Sequence, residues 1–434
     1  MTLTAIGLVG VAVLLFLLLF LGMPVGFTMA VVGFGGICYV ISFKAALGMV
    51  GTELWSTFSS YGLTMVPLFV FMGQICFYSG LNRRLFKATH TVTGHVRGGL
   101  AMATVFACAG FAAICGSNTA TAATMTTVSL PEMKKYHYDP ALSVGSIACG
   151  STLGVVIPPS VVLILVGLYT GQSISKLFYG GILAGIVLAI LFMITIAILC
   201  WINPEWSPLG KRTSLKEKIR SMPGFFEAVT LFALVMGGLY AGVFTPTEAG
   251  AVGTFLALAM SLVRRTLTWQ GFTAAVTDTL QVSCMVFVII AGAVMFSRFL
   301  ALTRIPFEMA DWVAALPFAP VTILSVIFII YIIGGALMDA LALLLITIPI
   351  FFPVALKLGY DPLWFGVMIT IITTLGAVTP PVGATTYVVA GMAKDVGLGG
   401  VFRGVLYFLP AYILCIILLM AVPQIITFLP GLIR

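Results

Sequence analysis

Hydrophobic residues along this chain gather into long runs separated by short polar stretches. Leu3–Leu21 and Val25–Phe43 come first, joined at Met23-Pro24, and Met65–Gly80 follows. Residues 44–64 are less apolar and carry Glu53 and Trp55, which fits a segment lying along a membrane interface. Later runs cover 98–130, 140–169, 174–201, 225–243, 249–263, 272–300, 321–352, 362–389 and 405–428. Many reach the ~20 residues that a helix needs to cross a bilayer. The pattern predicts a polytopic helical membrane protein. The first run lacks a basic flank and a small-residue cleavage site, so it reads as a retained helix and not a signal peptide.

Two neighbouring runs do not read as simple spans. Residues 98–130 are interrupted by Cys115-Gly116-Ser117-Asn118-Thr119-Ala120-Thr121. Arg83, Arg84, Lys87 and Arg97 precede this run, and Lys134 and Lys135 follow it. Basic flanks on both ends with a polar tip between predict a re-entrant hairpin, because one straight span would leave Lys134 and Lys135 on the wrong side. The competing reading is a single helix with a hydroxyl-rich packing face. The hydroxyls crowd the middle of the run, which favours the hairpin. The next run holds Gly150, Gly154 and Pro158-Pro159 deep in apolar sequence. Proline removes a backbone donor and clashes with the preceding turn, so this helix should break. Broken backbone at membrane depth is tolerated only where it is buried in protein or lines a watered cavity.

The chain writes this arrangement twice. Tyr138, Asp139 and Pro140 recur 222 residues later as Tyr360, Asp361 and Pro362. At the same offset Thr152, Leu153 and Gly154 recur as Thr374, Leu375 and Gly376, and Pro158-Pro159 as Pro380-Pro381. Pro24 and Pro131 likewise return as Pro246 and Pro353. A gapless register over most of each half marks a duplicated unit. It divides the chain into repeat 1 at 1–207, a cytoplasmic connector at 208–223 and repeat 2 at 224–434. Repeat 1 holds a hairpin at 98–132 and a broken helix at 140–169; repeat 2 holds the same elements at 321–355 and 362–389. Paired broken helices in two repeats point to the central site of a secondary transporter.

Charge adds orientation. Residues 82–97 carry four Arg or Lys and no acid, whereas the matching loop at 304–319 sets Arg304 against Glu308 and Asp311. Matching loops of opposite character should face opposite sides, which makes the repeats inverted, with both termini outside. The connector is the most polar stretch, with Lys211, Arg212, Lys216, Lys218 and Arg220. The 434 residues are 61% hydrophobic and 8% charged, a balance that excludes a soluble globular domain. The net charge of +8 sits in short loops, the positive-inside pattern, and so does not imply nucleic-acid binding. Eight cysteines without a Cys-x-x-Cys spacing read as small buried hydrophobes, so neither disulfides nor a metal site is expected.

Candidate chemistry gathers at the tips. Gly116, Ser117, Asn118 and Thr119 should face Gly150–Pro159. Their oxygens, with carbonyls freed where helices unwind, form a neutral cage suited to a hard monovalent cation such as sodium. A purely structural role for these hydroxyls is the alternative. The matching cluster is Gly334, Gly335, Met338 and Asp339, facing Thr373–Thr379, with Gly376 among them. Asp339 stands alone in an apolar hairpin and has three readings: neutralising a cation, holding a proton, or bonding a neighbouring helix. After the second proline pair, Gly383-Ala384-Thr385-Thr386 leaves room and donors for a polar substrate. Arg298 either meets an anion or snorkels to the surface, and Glu248 caps a helix start or sits at an interface. His90, His95 and His137 lie far in sequence from Asp339, and no HExxH, GxSxG or P-loop pattern occurs, so no enzyme activity is expected.

With the Gly-Ser-Asn-Thr-Ala-Thr-Ala tip, the two Thr-Leu-Gly…Pro-Pro segments and Pro246-Thr247-Glu248-Ala249-Gly250, the chain resembles the large membrane subunit of TRAP transporters, the DctM type, within the ion transporter superfamily. The resemblance runs nearly end to end. It implies a sodium-coupled importer of small organic anions, with an elevator-type transport domain moving past a scaffold in the bacterial inner membrane. It implies two separate partners, a small four-helix Q-type membrane subunit and an extracytoplasmic substrate-binding protein. No cofactor is implied beyond Na+ as coupling ion. Carried onto this sequence, sodium site 1 takes Gly116, Ser117, Asn118 and Gly154. Site 2 takes Gly335, Met338, Asp339, Thr374, Gly376 and Thr379. Thr119, Pro158, Pro159, Pro381, Gly383 and Thr385 would touch substrate. A stand-alone sodium- or proton-coupled symporter is the nearest alternative, and a passive anion channel is the most distant.

Overall fold

A computed structural model describes residues 2–208 and 214–432. Its first half contains α1 (Leu3–Leu21), α2 (Val25–Val40), α3 (Phe43–Phe58), α4 (Met65–Tyr78) and α5 (Leu81–Thr93). Then come α6 (Gly99–Cys115), α7 (Asn118–Lys135), α8 (Pro140–Ser151), α9 (Leu153–Val156), α10 (Val161–Thr170) and α11 (Ile174–Ile202). The second half begins with α12 (Leu215–Tyr240), α13 (Pro246–Val263), α14 (Trp269–Leu302), α15 (Ile305–Ala314) and α16 (Pro320–Leu337). It ends with α17 (Ala340–Lys357), α18 (Pro362–Gly376), α19 (Ala384–Met392), α20 (Gly397–Leu406), α21 (Leu409–Ala421) and α22 (Gln424–Gly431). Among the described residues, nine helical segments are long and apolar enough to cross a membrane, or ten if a bent pair counts as one.

Helix boundaries follow the 222-residue register. The break between α6 and α7 falls at Gly116-Ser117, and that between α16 and α17 at Met338-Asp339. The Tyr-Asp-Pro repeat turns out to be a helix start. Asp139 and Asp361 are N-caps that accept from Leu142 N and Trp364 N, each at 2.8 Å, and the prolines take the first helical position. Proline suits that position because its missing N–H would have no partner there in any case.

One element begins earlier than the hydropathy pattern implies. α12 starts at Leu215 and not near 225, because Ser214 and Glu217 form a reciprocal capping box. The later part of the polar connector is therefore helical. Lys211 and Arg212, also assigned to it, lie outside the described residues.

The helices pack as two groups. α1–α4 join α12–α14 in an outer frame, with α2 against α14 and α4 against α13 and α14. α6–α11 join α16–α22 in an inner bundle, with α8 against α6 and α20, and α16 against α18. The short helices α5 and α15 lie between the groups. Among the candidate spans the Pro140–Thr170 window of the inner bundle is the most buried, at 94%, and the α1 window of the frame the least, at 17%.

Lipid tails are as apolar as leucine, so cohesion relies on close packing and interhelical hydrogen bonds. Thr254 donates to Leu68 O at 2.7 Å, Tyr179 to Met236 O at 2.8 Å and Trp364 Nε1 to Leu419 O at 3.0 Å. A charged tie is made by Glu227 of α12, buried at 6% exposure. It binds Arg84 of α5 at 2.9 Å and also Arg264, just beyond α13. Arg84 in turn donates to Ser79 O at 2.8 Å.

Removing Glu227 would leave two guanidiniums without their counter-charge. Glu227→Gln should lower the thermal midpoint of the detergent-solubilised protein, at a cost of about 2 kcal/mol. Arg84→Gln should do likewise, and the double replacement should cost less than the two separate losses combined. Thermal unfolding of the four proteins checks this.

Candidate functional site

The first hairpin turns at Gly116, whose φ of +65° lies in the left-handed region that a residue with a Cβ avoids. Ser117 then caps α7, its Oγ accepting from Ala120 N at 3.4 Å and lying 3.2 Å from Thr119 Oγ1. Thr121 donates to Ser117 O at 2.6 Å. Asn118 uses its carbonyl oxygen to accept from Thr119 N at 2.8 Å, and its amide donates to Thr385 Oγ1 at 3.1 Å. That last bond joins the tip of one half to the segment following the helix break of the other.

Each hairpin seats on its own broken helix. A Cβ added to Gly154 would lie 2.7 Å from Ser117 O, and one on Gly376 would lie 2.6 Å from Gly335 Cα. These positions are repeat equivalents, and both need hydrogen where a backbone passes. Pro159 O approaches Gly116. In the second half Val382 N and Gly383 N both donate to Ala336 O, at 3.0 and 3.2 Å. Thr379 donates to Gly376 O at 2.9 Å, and Thr386 to Val378 O at 2.9 Å. The copies differ in exposure: Pro158 and Pro159 are buried, whereas Pro380 and Pro381 are exposed.

Both tips open onto one cavity of about 360 Å³. Gly116, Ser117, Asn118 and Thr119 line it from one hairpin, and Asp339, Ala340 and Leu341 from the other. The frame closes it with Val70 and Gln74 of α4 and with Val282 and Met285 of α14. Asp339 caps α17, accepting from Leu341 N at 2.9 Å. The Gln74 amide makes no hydrogen bond among the described residues and is free to meet a guest. Among the described residues no three His, Cys, Asp or Glu side chains cluster as a metal site.

The family model of the tripartite ATP-independent periplasmic transporter, DctM component, matches residues 12–425. The chain belongs to the DctM family. It is 33% identical to the C4-dicarboxylate TRAP transporter large permease protein DctM of Pseudomonas aeruginosa over 87% of this chain and 88% of that one. It is 30% identical to the sialic acid TRAP transporter large permease protein SiaM of Vibrio cholerae, over 96% of each chain. In fold it is similar to the solved YdaH transporter of Alcanivorax borkumensis, with a TM-score of 0.64 and 14% identity over 88% of each chain.

In this DctM-family chain the cavity gathers only part of the expected constellation. Ser117, Asn118, Thr119 and Asp339 share it. Thr374 and Thr379 do not line it: Thr374 is fully buried and donates to Ile371 O at 2.6 Å. Thr385 reaches the tip through Asn118. Arg298 does not line the cavity; its side chain is exposed and pairs with Glu53 of α3 at 2.9 Å. Glu248 closes a capping box with Thr245 at the start of α13.

Two residues escape sequence reasoning. Gln74 is a lone amide in an apolar run, a signal that exists but says nothing of which face it occupies. Tyr412 of α21 is fully buried, and its hydroxyl bonds Thr152. No motif marks it.

Gly154→Ala should force Ser117 O away from its seat and destabilise the protein by about 1–3 kcal/mol. Gly48→Ala, where an added Cβ meets nothing within 4 Å, should leave the thermal midpoint unchanged or raise it slightly. Equal midpoints for the two variants would contradict the close approach.

Proposed function

We propose that this chain is the large membrane subunit of a sodium-coupled tripartite carrier that imports small organic anions, such as C4-dicarboxylates or sugar acids. One observation carries the reading: two hairpin tips, each seated on an interrupted helix, open onto a single cavity. The neutral oxygens of Ser117, Asn118 and Thr119 suit sodium. Carbonyls near Gly154 complete a first ion site, and Gly335, Met338, Asp339, Thr374, Gly376 and Thr379 frame a second. An anion entering beside Asp339 meets like charge, and a bound cation offsets it. Ion and anion then raise each other's affinity by the same factor, which is the coupling a symporter needs.

Repeats of inverted topology would move the inner bundle past the outer frame in an elevator-type cycle. The family's tripartite character supports two partners, a four-helix Q-type subunit and an extracytoplasmic binding protein, in a bacterial inner membrane. A proton-coupled cycle is the second reading, favoured by Asp339 in the cavity wall.

Thermal unfolding in sodium and in equal potassium separates the two. A cation bound by the folded state alone raises stability by mass action, about 2.7 kcal/mol at a hundred times its Kd. A sodium-specific rise should vanish in Ser117→Ala and in Asn118→Ala. Equal midpoints in both salts, with a pH response lost in Asp339→Asn, would replace sodium by the proton.

A further inference from the structure

A second opening lies at the basic end of α7. It has a volume of about 870 Å³, with Arg83, Lys87 and His90 of α5 on one wall and Thr127, Pro131 and Glu132 of α7 on the other. Residues 83, 87 and 90 are spaced four and three apart, so they share one face of α5. Among the described residues neither Arg83 nor Lys87 has an ion-pair partner, whereas Arg84 is held by Glu227. The acid on the facing wall, Glu132, lies 3.8 Å from Lys135. His90 sits against Phe86 and Tyr136, and burial holds it below its usual range, so the standing positive charge comes from the arginine and lysine side chains.

This opening and the tip cavity lie along the same two walls. Positions 119, 120, 123, 127, 128 and 131 follow one face of α7 and are incompletely buried. Thr119, Ala120 and Ala123 line the tip cavity, and Thr127, Val128 and Pro131 line the basic cleft. The facing wall runs from Val70 and Gln74 of α4 to Arg83 and Lys87 of α5, with only Ser79-Gly80 between the helices. Eight residues of helix separate Thr119 from Thr127, or about 12 Å.

We infer that the α5–α7 cleft is an anion-attracting mouth, in which Arg83 and Lys87 hold a carboxylate at low affinity on its way out of the tip cavity. The direction rests on the transport reading above and on the positive-inside rule, which places these cations in the cytoplasm. A cleft walled by one sign of charge concentrates the opposite ion, and salt weakens the effect.

The test needs no transport. Thr127→Cys is made in the full chain with Cys284, an exposed thiol, changed to serine. The purified protein, in phosphatidylcholine vesicles, is treated with an anionic sulfonatoethyl or a cationic trimethylammonioethyl methanethiosulfonate. Each rate is divided by that reagent's rate with a free thiol. The anionic reagent should be favoured by about fivefold at low salt. The bias should fall in high salt, disappear in Arg83→Gln with Lys87→Gln, and persist in Arg83→Lys with Lys87→Arg. Ala123→Cys should show the same bias and be reached from the same side of the membrane. Equal reagent rates, a bias that survives the glutamine pair, or access to Ala123→Cys only from the opposite side would each overturn the inference. Loss of the bias in phosphatidylglycerol vesicles would also overturn it, assigning the cleft to a lipid headgroup. A failed sodium test with an intact charge bias would refute the coupling ion and not the mouth.

Discussion

A peptide group without a hydrogen-bond partner costs several kilocalories per mole in hydrocarbon, and this chain interrupts its helices at both tips and at both proline pairs. The structure answers by pairing the interruptions. Ser117 O receives Thr121 and lies against Gly154, while Ala336 O receives two amides from the segment after Pro381. In the second half hairpin and broken helix share backbone bonds, and in the first they are held by the close approach of Ser117 O to Gly154. The glycines at 154 and 376 are what let those backbones approach.

This constraint also decides where polar chemistry can sit. Helix breaks are the places where polar groups already point inward, so ligand oxygens can be added there with little further desolvation. The first tip adds hydroxyls and an amide, and the second adds a carboxylate. The repeated register gives both breaks the same frame, and the residues that differ make the two tips unequal. Thr152 bonds the Tyr412 hydroxyl, whereas its repeat equivalent Thr374 donates to Ile371 O.

Outside the bundle the polar ties are of a different kind. Glu227 with its two arginines, and Arg298 with Glu53, bind frame helices and their linking helix to one another. Between frame and bundle the side-chain bonds include Tyr169 to Ile290 O at 3.1 Å and Tyr179 to Met236 O. Losing one hydroxyl bond to a carbonyl costs less than stripping a buried charge of its partner. Relative movement of the two groups would break bonds of the first sort and leave those within the frame intact. Near the basic end, Lys134 of α7 bonds Asp395 beyond α19 at 2.7 Å and holds that carboxyl below its usual range, so the ends of the inner bundle are also held to each other.

Much of this was legible in the residues. Proline, glycine and Asp-Pro act within a few bonds of themselves, so the breaks, the caps and the 222-residue register survive without any knowledge of neighbours. The tips were found for the same reason, since Ser117, Asn118 and Asp339 stand out in apolar sequence. What stayed hidden depended on which face of an apolar helix turns inward. A uniformly hydrophobic run has no amphipathic period to reveal that, so Gln74 at the cavity and Tyr412 between the broken helices could not be placed. The pairing of Arg298 with Glu53 was hidden too, because it joins distant segments and each charge alone reads as a surface group. The sequence by itself determined where the helices must break and which polar residues the breaks carry. Tertiary packing alone decided that both tips share one cavity, because that juxtaposition follows from how the two halves close on each other and not from any local rule.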